Sequence, residues 1–147
     1  MTTPFNANQS DNSIRPANGY AGDVPLALAH DWWRTGRAVL VDVRTMAECD
    51  WVGTVPNTTC IPWKTYPDMA INPNFDAALS ALVPKEQPVM LLCRSGVRSI
   101  AAATRATELG FTHAYNILEG FEGDPDVAKQ RGRVNGWQYA GFPWQQT

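Results

Sequence analysis

Cysteine is scarce in this chain: Cys49, Cys60 and Cys93 stand without C-x-x-C spacing or a nearby histidine pair. That scarcity excludes a disulfide framework and a zinc site of ordinary ligand spacing. Excess charge of one sign is missing too. The formal net charge is -2, with 18% charged residues, which leaves no basic footprint for nucleic acid or an anionic membrane surface. No apolar run approaches the roughly 20 residues of a membrane-spanning helix. The first twelve residues are polar, with neither a basic start nor an apolar stretch, so they read against a signal peptide and for a cytoplasmic protein. Six tryptophans lack the basic company that base stacking needs, and they read as core or lid packing.

What remains fits one soluble domain. A chain of 147 residues with 44% hydrophobic content is long enough to bury an independent core. Residues 1–19 carry Asn, Ser, Thr and Pro with few apolar anchors and read as a flexible arm before a single domain over 20–147. Asp23 can cap a helix that begins at Val24-Pro25, carries Leu26, Ala29 and Trp33 on one face, and stops at Gly36. Residues 39–43 (Val-Leu-Val-Asp-Val) form a compact run expected to be a strand buried on both faces. A short helix over 45–50, a strand over 58–61 and a helix over 74–82 follow. The run 89–93, an alanine-rich helix over 99–109 closed by Gly110, and a strand over 114–118 complete the alternation. Strands alternating with helices specify an α/β domain with a mostly parallel sheet. Beyond Glu119 the chain turns glycine-rich, and its aromatic residues predict an ordered excursion ending in a short helix around Trp137.

The chemistry is concentrated where one strand meets the next helix, in Cys93-Arg94-Ser95-Gly96-Val97-Arg98-Ser99. A thiol becomes a nucleophile as its thiolate. Unpaired amides and the positive dipole end of a helix N-terminus favour that anion, and Arg94 and Arg98 add positive charge. Gly96 permits the backbone twist that lets successive amides converge on one point. This turn is expected to hold a thiolate together with whatever negative group the sulfur acquires. Cys49 and Cys60 read as small core residues.

The segment 93–99 resembles the active-site loop of the rhodanese sulfurtransferase family, where a Cys-Arg-Ser-Gly-x-Arg-Ser pattern is common. Leu40-Val41-Asp42-Val43-Arg44 with Glu48 resembles the family's first signature. In the segment that follows, Gly53 and Pro56 are kept, but Thr54 stands where histidine is usual. Leu109-Gly110-Phe111, the run 116–121, and Gly136-Trp137 through Gly141-Phe142-Pro143 resemble later family motifs, so the likeness extends from about Tyr20 to Pro143. It implies a three-layer sandwich, with a mostly parallel sheet of about five strands and helices on both faces. It also implies a sulfurtransferase cycle without metal or organic cofactor. Cys93 takes a sulfane sulfur from a small anionic donor such as thiosulfate, and the resulting persulfide passes it to a thiol or cyanide, or to a protein acceptor.

Supporting roles follow for several neighbours. Loop amides from Arg94 to Ser99 would cradle the terminal sulfur, with Arg98 binding donor or stiffening the loop. Ser99 either caps the helix, or caps it and also donates to sulfur. Asp42 and Arg44 lie at a strand's C-terminal end, where α/β sheets gather ligands. Asp42 is expected to pin the loop arginine or backbone amides, and Arg44 to bridge to Glu48 at helical spacing or to contact the donor. Residues 122–135 form an insertion, read either as a lid with Arg131 or Arg133 as an anion contact, or as a surface loop with internal Asp–Arg pairing. Two other readings stay open: a non-catalytic binding or regulatory module, and a cysteine phosphatase. Tyrosine-phosphatase loops place arginine where Ser99 stands, so Arg98 comes one residue early for that chemistry.

Overall fold

The structure is a computed structural model and describes residues 13–147. In chain order the elements are β1 (Gly22–Val24), α1 (Leu26–Thr35), β2 (Val39–Asp42), α2 (Met46–Trp51), β3 (Thr59–Cys60), β4 (Lys64–Thr65), β5 (Ala70–Ile71), α3 (Phe75–Leu82), β6 (Val89–Leu92), α4 (Arg98–Glu108) and β7 (Ala114–Ile117). Five strands form one parallel sheet in the order β1-β7-β6-β2-β3, and β4 and β5 make a small antiparallel hairpin. The inner strands β6 and β7 are buried at every position, as parallel strands covered on both faces must be.

Alternation along the strands splits the core in two. Val41, Val43, Leu91 and Cys93 face Phe75 and Leu79 of α3 and Ala102, Ala103 and Ala106 of α4. Leu40, Met90, Leu92 and Ile117 face Leu26, Ala29 and Trp32 of α1, together with Phe121 and Trp137 from the C-terminal segment. This is the expected α/β three-layer sandwich.

Several local expectations give way to tertiary pairing. Asp23 caps nothing: it lies in β1, opposite Asn116 of β7, and Pro25 occupies the N-terminal boundary of α1 without a side-chain cap. The expected arm falls partly outside the described residues, but Arg15 is tied to Asp23 by two backbone hydrogen bonds of 2.9 Å. No helix forms around Trp137. Gly136 and Gly141 bound that stretch with φ of 105° and 83°, outside the helical region, and the chain makes turns between them.

Trp137 itself is fully buried, edge-on to Trp33 and Phe142, and its indole N–H donates to Pro143 O at 2.8 Å. It closes one face of the sheet in place of a helix. Trp137→Ala is expected to lower unfolding free energy by about 3–5 kcal/mol in denaturant titrations. A loss below about 1 kcal/mol would mean that the tail is an ornament on a self-sufficient core.

Candidate active site

Cys93 follows β6, the central strand, at the carboxyl end of the sheet, where α/β folds gather ligands. The next four residues turn into α4, and Gly96 takes φ of 100° within that turn. Phe121 N–H donates to Cys93 O at 2.8 Å, while Glu122 and Gly123 N–H both donate to Arg94 O, at 3.0 and 3.1 Å. This close stitching leaves no room for a side chain at Gly120, where a Cβ would stand 2.5 Å from Arg94 O and 2.6 Å from Cys93 O.

The Cys93 side chain is almost fully buried. Its Sγ accepts the Gly96 N–H at 3.1 Å and lies 3.2 Å from Ser99 Oγ. Ser99 in turn donates to Asn116 Oδ1, whose amide group donates at 2.9 Å to Asp23 Oδ1. Tyr20 donates to the same carboxylate oxygen at 2.8 Å, and burial with Asp23 beside it pushes the phenol up to about 12. A polar chain, buried at its Cys93 end and half-buried at Asp23, therefore runs from the thiol to β1. With the serine proton committed to Asn116, the neutral thiol is the donor to Ser99 Oγ. A charged sulfur instead calls that proton to itself. Ser99 is thus a sulfur neighbour and not a helix cap; the boundary residue of α4 is Val97.

Arg98 does not stand free. Glu48 grips its guanidinium with two hydrogen bonds of 2.7 and 2.9 Å, both side chains being largely covered. The Thr45 and Glu48 capping box fixes the start of α2 and so aims Glu48 across the site. Arg44 does not bridge to Glu48, nor can it reach a donor. Asp42 and Arg44 are two residues apart along an extended segment and share a face, so Arg44 is completely buried against Asp42 at 2.6 Å. It also donates to Gly53 O at 2.7 Å and lies over the Phe121 ring. Burial alone would lower the Arg44 pKa, but the Asp42 carboxylate outweighs it and holds the guanidinium charged. Asp42 does not hold the loop arginine; its partners are the Arg44 side chain and, at 3.1 Å, the Arg44 backbone amide.

Beside the turn lies a cavity of about 450 Å³, lined by Thr45, Ala47, Glu48, Trp51, Val52, Tyr66, Met69, Arg94 and Arg98. Trp51 and Tyr66, 81% and 70% exposed, give it an aromatic rim. Of the insertion, neither Arg131 nor Arg133 lines this cavity, and Arg131 donates to Gly123 O inside its own segment at 2.6 Å. The Asp–Arg pairing expected there is absent among the described residues: Asp124 pairs with Asn135, and Asp126 accepts from the amides of Ala128 and Gln130.

The profile described as "Rhodanese-like domain" matches residues 26–124, more than half of the chain. The chain belongs to the rhodanese-like family. A Rickettsia prowazekii relative named uncharacterized protein RP600 is 36% identical over 110 residues, covering 74% of this chain and 83% of its own length. The crystal structure of Rv0390 from M. tuberculosis is 44% identical with a TM-score of 0.79, covering 87% of this chain and 99% of that one. A protein of unknown function from Rhodopseudomonas palustris, described as a possible tyrosine phosphatase, shares the fold at 22% identity and a TM-score of 0.54, over 95% of this chain and 88% of its own. In this rhodanese-like domain the turn, Ser99 and the Glu48–Arg98 clamp come together, whereas Arg44 serves the core. Asn116, Asp23 and the Trp51–Tyr66 rim escape a motif-based reading, although a lone amide in the apolar strand Ala-Tyr-Asn-Ile is a visible signal for the first.

The clamp has a pH signature. Burial works against the Glu48 carboxylate, but the Arg98 guanidinium and the Thr45 hydrogen bonds prevail and hold it at about 2, against an ordinary 4.5. Its contribution to stability is complete above pH 4.5 and is lost as pH falls through about 2. Across that window the native protein should lose stability more steeply than Glu48→Gln in denaturant titrations. Parallel curves would show that the pair carries no linkage.

Proposed function

We propose that this domain is a sulfurtransferase working through a persulfide on Cys93. The observation that carries the reading is the Cys93 sulfur seated at a helix-leading turn, within reach of the Gly96 amide and the Ser99 hydroxyl. In the first half-reaction the thiolate attacks the outer sulfur of a small anionic donor such as thiosulfate. The donor S–S bond breaks, sulfite leaves with the electron pair, and Cys93–S–S⁻ remains. In the second, a thiol or cyanide, or a cysteine of a protein acceptor, attacks the terminal sulfur and expels the Cys93 thiolate. Preorganised donors of this kind contribute on the order of 3 kcal/mol each where charge develops in a buried site. The cycle as written calls for no metal or organic cofactor, and we place it in the cytoplasm.

Arg98 acts in this scheme through its clamp, stiffening the loop, and Arg94 is the exposed cation at the cavity. Loop length speaks against phosphate ester hydrolysis, since the position six residues after the cysteine is Ser99, with its hydroxyl on Asn116. The binding-module reading is weakened by the retained cysteine.

Steady-state conversion of thiosulfate and cyanide to thiocyanate and sulfite should follow ping-pong kinetics and vanish in Cys93→Ser. Ser99→Ala should reduce kcat by about 10²-fold with little change in KM, the cost of one lost donor. Turnover retained in Cys93→Ser overturns the scheme, and hydrolysis of an aryl phosphate without sulfur transfer favours the phosphatase.

A further inference from the structure

The two cysteines outside the active turn meet on the opposite face of the sheet. Val41 and Val43 pack in the cluster that holds Cys93, so Asp42 between them points the other way. There the Sγ atoms of Cys49 and Cys60 lie 2.8 Å apart, with the Asp42 carboxylate within 4.8 Å of both. Each sulfur rides on fixed backbone. Cys60 stands in register with Asp42, and the following Ile61 N–H donates to Asp42 O at 2.8 Å. Cys49 belongs to α2, whose start is fixed by the capping box, and its own N–H donates to Thr45 O at 3.1 Å.

The three groups do not make a metal site. Both Asp42 oxygens already accept from the Arg44 side chain, and a cation there would face a fully buried guanidinium. The two sulfurs remain for chemistry, and they are not equivalent. Cys49 is buried and donates to the Cys60 sulfur; that hydrogen bond, burial and the Asp42 carboxylate all push its pKa upward. Cys60 is only half-buried and is the sulfur that an external reagent reaches first.

We propose that Cys49 and Cys60 form a reversible dithiol–disulfide pair, closed by a low-molecular-weight disulfide, which clips α2 to β3. The Cys60 thiolate attacks one sulfur of that disulfide, whose S–S bond breaks and releases one thiolate. The released thiolate takes the Cys49 proton. The Cys49 sulfur then attacks Cys60 in the mixed disulfide and expels the second thiolate. Two cysteine thiols are oxidised by two electrons while the external disulfide is reduced to two thiols. The clip matters because Glu48, adjacent to Cys49 on α2, is the residue that clamps Arg98. Its formation does not require sulfur transfer at Cys93.

The test uses full-length Cys93→Ser, which keeps only these two cysteines, incubated with oxidised glutathione and weighed intact. The expected product has lost two hydrogens, carries no glutathionyl group and regains its mass in dithiothreitol. With Cys49→Ser added, the resolving thiol is gone and one glutathionyl group should stay on Cys60. An unchanged mass for Cys93→Ser overturns the proposal, as do persistent glutathionyl adducts while both cysteines are present. Retention of added zinc by the reduced protein in native mass spectrometry also overturns it, in favour of a metal site.

Discussion

The turn that carries Cys93 is anchored by its carbonyls to the amides of Phe121, Glu122 and Gly123, across the line where Gly120 lacks a side chain. With the Cys93 and Arg94 carbonyls drawn toward the segment after β7, the peptide units that follow are free to present N–H groups to the sulfur, and Gly96 does so. The segment after Glu119 is therefore part of the active turn's support. Its far end, Trp137, fills the core beneath, so the tail links packing on one sheet face to geometry at the carboxyl end of the sheet.

Charge at the site is distributed differently from what a count of arginines implies. Arg44 belongs to Asp42 and Arg98 to Glu48, each pair closed by short hydrogen bonds away from bulk water. Neither guanidinium stands without a carboxylate partner. What is left to meet an anion is dipolar: the Gly96 amide, the start of α4 and the Ser99 hydroxyl, with Arg94 as the exposed full charge. Ser99 is the responsive member, because its single proton can serve Asn116 or sulfur but not both.

The fold was legible wherever burial is two-sided. Strands β2, β6 and β7 give short apolar runs, and the short helix read over 45–50 is α2. β1 was not legible, because three residues with a glycine and an aspartate become a strand only through pairing with β7. The β4–β5 hairpin, two residues per strand, leaves no periodic trace, so its delivery of Tyr66 and Met69 to the cavity went unseen. Cys93 and its turn were visible in the chain, but the partners of the arginines were not. Helical spacing pointed Arg44 at Glu48, whereas the strand's period of two put Arg44 on the Asp42 face and left Glu48 for Arg98, fifty residues away.

The central claim is that Cys93 carries transferable sulfur, and intact mass after incubation with thiosulfate tests it most directly. The account predicts a gain of one sulfur, removed by a thiol acceptor and absent in Cys93→Ser. No adduct on the native protein, or the same adduct on Cys93→Ser, would contradict it.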